Sequence, residues 1–370
     1  KGSTEMPKLE QIAQDSASAA TDYIIGKRTE GYEYGDEWLI YALLQRNADP
    51  GAEKLDAYYA SVEAAVKSWN NEKPTDLERT ALALTRMGKD ITNVGGVNLA
   101  AMIYNSDRLK EGSNEAIYAL LALDAADIAI PADAKWNREA IIAEVLRYQN
   151  ANGGFGLTSN KGASVDMTAM ALQALAKYQD QKAVKSATDK ALDYLSDVQD
   201  SKGGYASWGT TNVESVAQVV VAFCELGMDL NDSRFVKNGH GLVENLLSFR
   251  QSNGGFYHVM DGSDGNNQMS AEQGFYALVA IDRAENGKNT LYRMGDVTKS
   301  TSKPASNVSK GNADASVKVP GVTAPGTTFT DIKNHANKAA IEELASRGII
   351  NGMGKGTFMP NKTMTRAEFA

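Results

Sequence analysis

Acidic and amide side chains stand at the starts of several Ala-rich apolar stretches: Glu37, Glu78, Asn114, Asp166, Glu214 and Glu272. Gln218 and Gln273 follow closely behind the last two. At a helix start such groups satisfy free amide donors and complement the positive end of the helix dipole. Gathered at one end of a helical assembly they could instead line a ligand mouth, since a pocket between helices needs only a few convergent polar groups. The candidate binding set is Asp166, Thr168, Glu214, Gln218, Glu272 and Gln273. Tyr118 and His258 join it: His258 follows Gly254-Gly255-Phe256-Tyr257 in a loop, and Tyr118, with Trp38, could stack on a flat ligand.

Other chemistries find less material. A carboxylate pair such as Asp166 and Glu214 could stand about 5–10 Å apart, the spacing that acid–base sugar chemistry uses. An acid strong enough to protonate an alkene needs an Asp-rich string, and Asp166-Met167-Thr168-Ala169 offers one Asp. The one cysteine, Cys224, sits in an apolar run, and none of the three histidines has zinc-ligand spacing. No Cys-Gly-Glu-Gln-like string suggests a thioester. Catalytic residues and metal ligands are therefore not assigned. A net charge of −8 without a basic stripe argues against nucleic acid, and no apolar run approaches the 18 or so residues needed to span a bilayer.

The elements that must position these residues are helices. Gly153-Gly154-Phe155, Gly203-Gly204-Tyr205 and Gly254-Gly255-Phe256 recur at steps of 50 and 51 residues, a repeat period. Each follows a Gln-containing polar segment and precedes an Ala-aliphatic helix. Weaker versions of the rhythm run through the first half. Six inner helices centre on Ala42, Ala83, Ala119, Ala174, Ala222 and Ala277. Six amphipathic partners are read at 9–25, 52–69, 97–104, 136–149, 184–198 and 234–250. Helices apolar on all sides must be buried on all sides, and amphipathic ones need cover on one face. Two concentric rings of six, an all-α α6/α6 toroid, satisfy both demands over residues 1–295. Thr75-Asp76-Leu77-Glu78, after Pro74, reads as a capping box.

Residues 296–328 are rich in Ser, Thr, Lys and Pro, lack aromatics, and read as an extended, mobile linker. From Phe329 a compact pattern resumes, with a helix expected over 338–347 and another starting at Thr365. The chain stops inside the latter, as in a truncated longer protein.

Two resemblances follow. Phe329-Thr330-Asp331-Ile332, Gly348-Ile349-Ile350-Asn351-Gly352, Gly356-Thr357-Phe358-Met359-Pro360 and Thr365-Arg366-Ala367-Glu368 resemble the S-layer homology module, so 329–370 is similar to a partial copy. That resemblance implies an extracellular cell-wall or S-layer location, with cell-wall polysaccharide as partner and Arg366 contributing to its binding. Residues 1–295 resemble the toroid of prenyltransferase and squalene-cyclase repeat proteins, and among them the helical domain of the transcobalamin type and its bacterial surface relatives. Arg79-Thr80-Ala81-Leu82-Ala83-Leu84, Gly95-Gly96-Val97-Asn98-Leu99, Ser164–Ala171, Glu214-Ser215-Val216-Ala217-Gln218 and Glu272-Gln273 carry it. It implies ligand binding at one mouth of the ring, with a corrinoid as the cofactor class. The carriers of that class have a cobalt-coordinating His in the loop before their equivalent of Ser164. Here that loop reads Asn160-Lys161-Gly162-Ala163, without a His. The expected function is a non-enzymatic surface protein, ligand-binding or structural, held to the wall. The alternative is a carbohydrate-active or terpene-cyclase-like enzyme on the same fold.

Overall fold

The computed structural model describes residues 8–263, 267–305 and 320–363. The chain divides into two compact units, 1–307 and 308–370.

The first unit is helical: α1 (Leu9–Lys27), α2 (Glu37–Gln45), α3 (Ala52–Ala65), α4 (Pro74–Arg86), α5 (Leu99–Tyr104), α6 (Ser113–Ala125), α7 (Arg138–Leu146), α8 (Val165–Leu175), α9 (Lys182–Val198), α10 (Val213–Leu226), α11 (Leu242–Ser248) and α12 (Gln268–Glu285). The even-numbered helices form the core. Every residue of α10 from Val213 to Glu225 is buried. On α9 only Val184, Ala187, Thr188, Ala191, Leu192 and Leu195 are, at the three- and four-residue spacing of a helix covered on one face. Each even-numbered helix packs on the next, and α12 returns to α2. Helices α1, α5, α7, α9 and α11 lie against them. Hydrogen bonds join starts to starts and ends to ends: Ser270 on α12 reaches Glu214 on α10, and Arg86 at the end of α4 reaches Gln45 at the end of α2. The even-numbered helices therefore run parallel, with their N-termini at one mouth.

The Gly-Gly-aromatic turns hold neighbouring repeats together. Phe155, Tyr205 and Phe256 are fully buried. The Gln149 side-chain amide donates to Gly153 O and to Ala187 O on α9, both at 2.8 Å, and Gln199 repeats the device on Gly203 O and Phe235 O. Gly254 (φ +97°) docks on α1, where a Cβ would fall 2.2 Å from Ala19 O. A short hairpin then leads into the next even helix: β1 (Phe155–Gly156) with β2 (Ala163–Ser164) before α8, and β3 (Ala206–Ser207) with β4 (Thr210–Thr211) before α10. Ser164, Asn212 and Asn267 cap α8, α10 and α12.

Three expectations need correction. Thr75–Glu78 is not a capping box: α4 begins at Pro74, whose fixed φ suits the first helical turn, and no side chain caps it. That places Glu78 well inside the helix, where it is buried rather than folded back over the start. The helix read over 234–250 is shorter. A 3-10 turn at Ser233–Phe235 is followed by a tight reversal at Asn238 and Gly239, both at positive φ, and α11 starts only at Leu242. The linker, finally, begins as a strap. Ser300 N donates to Gly88 O, Ser302 N and Oγ to Asp90 Oδ2, and Ala305 N to Thr92 O. Its backbone finds partners in the loop after α4, so 300–305 is pinned rather than extended into solvent.

In the second unit, a 3-10 turn at Thr330–Ile332 precedes α13 (Lys338–Ser346). Asp331 accepts from Phe358 N (2.8 Å) and Met359 N (2.7 Å), and the Phe329 and Phe358 rings lie 5.4 Å apart. Ile332 and Ile341 are buried between these pieces. Arg366 and the helix expected from Thr365 lie outside the described residues.

Candidate functional site

The N-terminal mouth of the first unit gathers the sequence candidates. On its α2 side, the buried Glu37 accepts from Tyr58 Oη (2.9 Å) and Arg79 Nε (2.9 Å), while Arg28 pairs with Asp36 at 2.8 Å. On its α10 side, Glu214 Oε1 accepts from Ser270 Oγ (2.5 Å), and Glu214 Oε2 is hydrogen-bonded to His258 Nδ1 (2.6 Å). His258 is thereby tied to the mouth rather than free in its loop. Glu272 is half-buried beside Gln268, which donates to it, and burial pushes its carboxyl above the usual range.

The α4–α6–α8 side differs. Among the described residues, no hydrogen bond reaches either Glu78 oxygen, Asn114 Oδ1, Glu115 Oε2 or Asp166 Oδ1, all of them buried atoms. Burial, and then the charge of Glu115, holds the Glu78 carboxyl well above the ordinary range. Asp166 uses its second oxygen to accept from Ser207 Oγ on β3 (2.9 Å).

Within the ring an aromatic cluster crosses the centre. The Trp38 ring lies 5.8 Å from Tyr118, 5.9 Å from Tyr276, 5.9 Å from Tyr41 and 6.5 Å from Tyr292. Gln173 donates to Gln218 Oε1 (2.9 Å), and Gln218 donates to Gln273 Oε1 (2.9 Å) and to Tyr276 Oη. Burial, and then Glu78 and Asp166, hold the Tyr118 proton more tightly than usual.

The structure thus brings Asp166, Glu214, Glu272, Gln273, His258 and Tyr118 to one end, with Gln218 in the network that spans the ring. Thr168 does not belong with them. It is fully buried, and its hydroxyl accepts from Phe155 N (2.9 Å) and donates to Ser164 O (2.6 Å), which fixes the turn before α8. Sequence reading missed Ser207 and Ser270, which bond to Asp166 and Glu214, and Glu115, one residue beyond Asn114. Glu115 alone carried a signal: its place in the first turn of an apolar helix. It also missed Trp208, 94% exposed at the β3–β4 tip next to Ser207.

The other end of the ring is strapped. The fully buried Arg283 donates to Asn289 O, Gln45 O and Asp296 Oδ2. Tyr41 and Gln45 both donate to Leu291 O, and Glu225 accepts from Thr290 Oγ1 (2.8 Å) and Tyr292 N (3.0 Å). Burial raises the Glu225 carboxyl to about 7. A cavity of about 280 Å³ remains there, lined among others by Asp124, Gln173, Glu225, Arg293 and Lys299. Cys224 is buried on α10, its thiol pushed up to about 12 by burial.

A corrinoid is poorly served at the place where the carriers coordinate cobalt. The loop between β1 and β2, Leu157–Gly162, holds no imidazole, and His258, on a different loop, has its Nδ1 engaged by Glu214. Among the described residues no three His, Cys, Asp or Glu side chains converge as metal ligands, and no helix is long and apolar enough to cross a membrane.

Comparison with known proteins divides the chain in the same way. Residues 105–280 match the prenyltransferase alpha-alpha toroid domain, and residues 328–370 match the S-layer homology domain. Among curated proteins, the chain is 52% identical over 59 residues to endo-1,4-beta-xylanase A of Thermoanaerobacterium saccharolyticum, covering 16% of this chain and 5% of that protein. It is 40% identical over 95 residues to exoglucanase XynX of Acetivibrio thermocellus, covering 25% of this chain and 9% of that protein. It is 57% identical over 42 residues to an amylopullulanase of Thermoanaerobacterium thermosulfurigenes, covering 11% and 2%. The chain therefore spans under a tenth of the length of these relatives. S-layer homology domains bind cell-wall polysaccharide, and this one indicates a cell-wall or S-layer location. The chain carries a prenyltransferase-type α/α toroid domain followed by an S-layer homology domain.

Proposed function

We propose that this is a cell-surface protein, held to wall polysaccharide through its S-layer homology domain, whose toroid binds a small ligand at the N-terminal mouth without transforming it. The S-layer homology domain carries the first half of this reading. The named relatives support it: the stretches shared with a xylanase, an exoglucanase and an amylopullulanase are 59, 95 and 42 residues long, short enough to be an attachment region rather than a catalytic one. Arg366 is proposed to contribute to wall binding.

The second half rests on the polar and aromatic side chains gathered at the mouth. Trp38, Tyr118, Asp166, Glu272 and Gln273 are half-buried at one mouth, while the opposite end lies under the 289–296 strap. Binding is preferred to turnover because the sequence offers no Asp-rich cyclase string, zinc set or thioester motif; Glu214 has both oxygens hydrogen-bonded, to Ser270 and His258.

Two measurements test the reading. The full chain should sediment with purified cell walls, and a variant lacking 329–370 should stay in solution; equal sedimentation refutes wall attachment through that domain. Product formed from a polysaccharide or an isoprenoid substrate, and lost in Asp166→Ala, would overturn binding without turnover.

A further inference from the structure

The inference here concerns the class of ligand and rests on the reading of the mouth as a binding cup. Hydrogen-bonding capacity around that mouth is unbalanced. An ionised carboxylate has only acceptors to offer. On the α2 and α10 sides those acceptors are met by Arg28, Arg79, Tyr58, Ser270 and His258. On the α4–α6–α8 side they are not. Glu78 is fully buried with both oxygens unpartnered, and Asn114 Oδ1, Glu115 Oε2 and Asp166 Oδ1 are in the same condition. A buried polar atom without a partner costs free energy, and a group that brings donors relieves several on adjacent helices together.

The sign of the missing group follows from the chemistry. Three of the four side chains are carboxylic, and a buried carboxylate is stabilised far better by a positive charge than by a neutral hydroxyl. The aromatic cluster beside them points the same way. Tyr118 lies within the electrostatic reach of Glu78 and Asp166, and the Trp38 ring is 5.8 Å from it. Faces of Trp and Tyr attract organic cations. A bare metal ion is not favoured, because no three ligating side chains converge among the described residues. Asn114, Glu115, Tyr118 and Asp166 are each partly exposed, although the unpartnered oxygens themselves are buried.

We propose that the α4–α6–α8 side of the mouth binds an organic cation carrying N–H donors, a primary or secondary ammonium. Its N–H groups donate to acceptors spread along that side, Glu78 and Glu115 on adjacent helices and Asp166 on the next, and Trp38 and Tyr118 contact its carbon skeleton.

Calorimetric titration of the full chain at low ionic strength tests this with three probes of similar size: 1,4-diaminobutane, choline and 1,4-butanediol. The diamine should bind saturably, choline (a cation without N–H donors) about tenfold more weakly, and the diol not at all. Glu78→Gln and Asp166→Asn should each weaken the diamine by about tenfold or more. Glu111→Gln, which removes an exposed carboxylate paired with Arg108, should leave it unchanged, separating a site from general attraction to an acidic protein. Circular dichroism establishes that each variant is folded. Diamine affinity unchanged in both Glu78→Gln and Asp166→Asn overturns the proposal, as does equal binding of the diol. If a neutral saccharide or an isoprenoid binds at the mouth and the diamine does not, the ligand class is wrong and the cup survives. If none binds, both readings fail.

Discussion

Glu78 on α4 and Glu115 on α6 stand on adjacent core helices at the same mouth, each with buried oxygen that no donor reaches, and burial, then the charge of Glu115, raises the Glu78 carboxyl well above its ordinary range. Their juxtaposition costs stability in the absence of a ligand. Glu78→Leu, of similar volume and without polar atoms, should raise stability by about 1–3 kcal/mol while removing amine binding. Urea unfolding of the two proteins at pH 7 measures the first effect; a variant less stable than wild type would mean that Glu78 has an unrecognised partner in the folded state.

Glu225 gives the strapped end its own pH dependence. Its folded pKa, about 7, lies above the ordinary glutamate value of 4.5. The folded protein therefore holds a proton that the unfolded chain releases between those values. Stability from this group is complete below about pH 4.5 and is lost as pH rises through about 7, by at most about 3 kcal/mol. Guanidinium midpoints of wild type and Glu225→Gln should diverge over that window, the wild type falling relative to the variant as pH rises. Parallel midpoints from pH 5 to 8 would contradict the assignment.

Gly254 and Gly96 both have positive φ, but only Gly254 abuts another helix. Gly96→Ala should cost about 1 kcal/mol, from backbone strain alone. Gly254→Ala should cost more, about 2–4 kcal/mol, because its Cβ would be driven into Ala19 O and would push α1 off the ring. Thermal unfolding of the pair checks the order; equal losses would mean that the α1 contact is soft.

The 300–305 strap should depend on one carboxylate. Asp90 Oδ2 accepts from both Ser302 N and Ser302 Oγ. In Asp90→Ala, amide hydrogen exchange at Ser300, Ser302 and Ala305 should accelerate by about tenfold or more while the core helices keep their protection. Unchanged exchange at those amides would show that Gly88 and Thr92 suffice to hold the strap.

How far the molecule could be read without coordinates depends on whether the deciding interaction is local. The Gly-Gly-aromatic steps, the all-apolar α10 and the one-sided α9 are local patterns. Each states how much of its surface must be covered, so the all-α toroid and the S-layer homology segment were legible in the residues themselves. So was the clustering of Asp166, Glu214 and Glu272, because parallel core helices necessarily bring their starts together. What remained hidden depends on contacts between residues far apart in the chain. Whether a carboxylate at a helix start finds a donor is decided by a neighbour 40 or more residues away: Arg79 for Glu37, Ser270 for Glu214, Ser207 for Asp166. No spacing rule reports that Glu78 has none. The pinning of Ser300, Ser302 and Ala305 is equally non-local, since nothing in a Ser/Thr-rich stretch announces the open carbonyls of Gly88 and Thr92. The sequence determined which faces are buried, since burial follows from each helix's own periodicity. Only the tertiary structure decided which polar groups at the mouth are satisfied and which are left for a ligand.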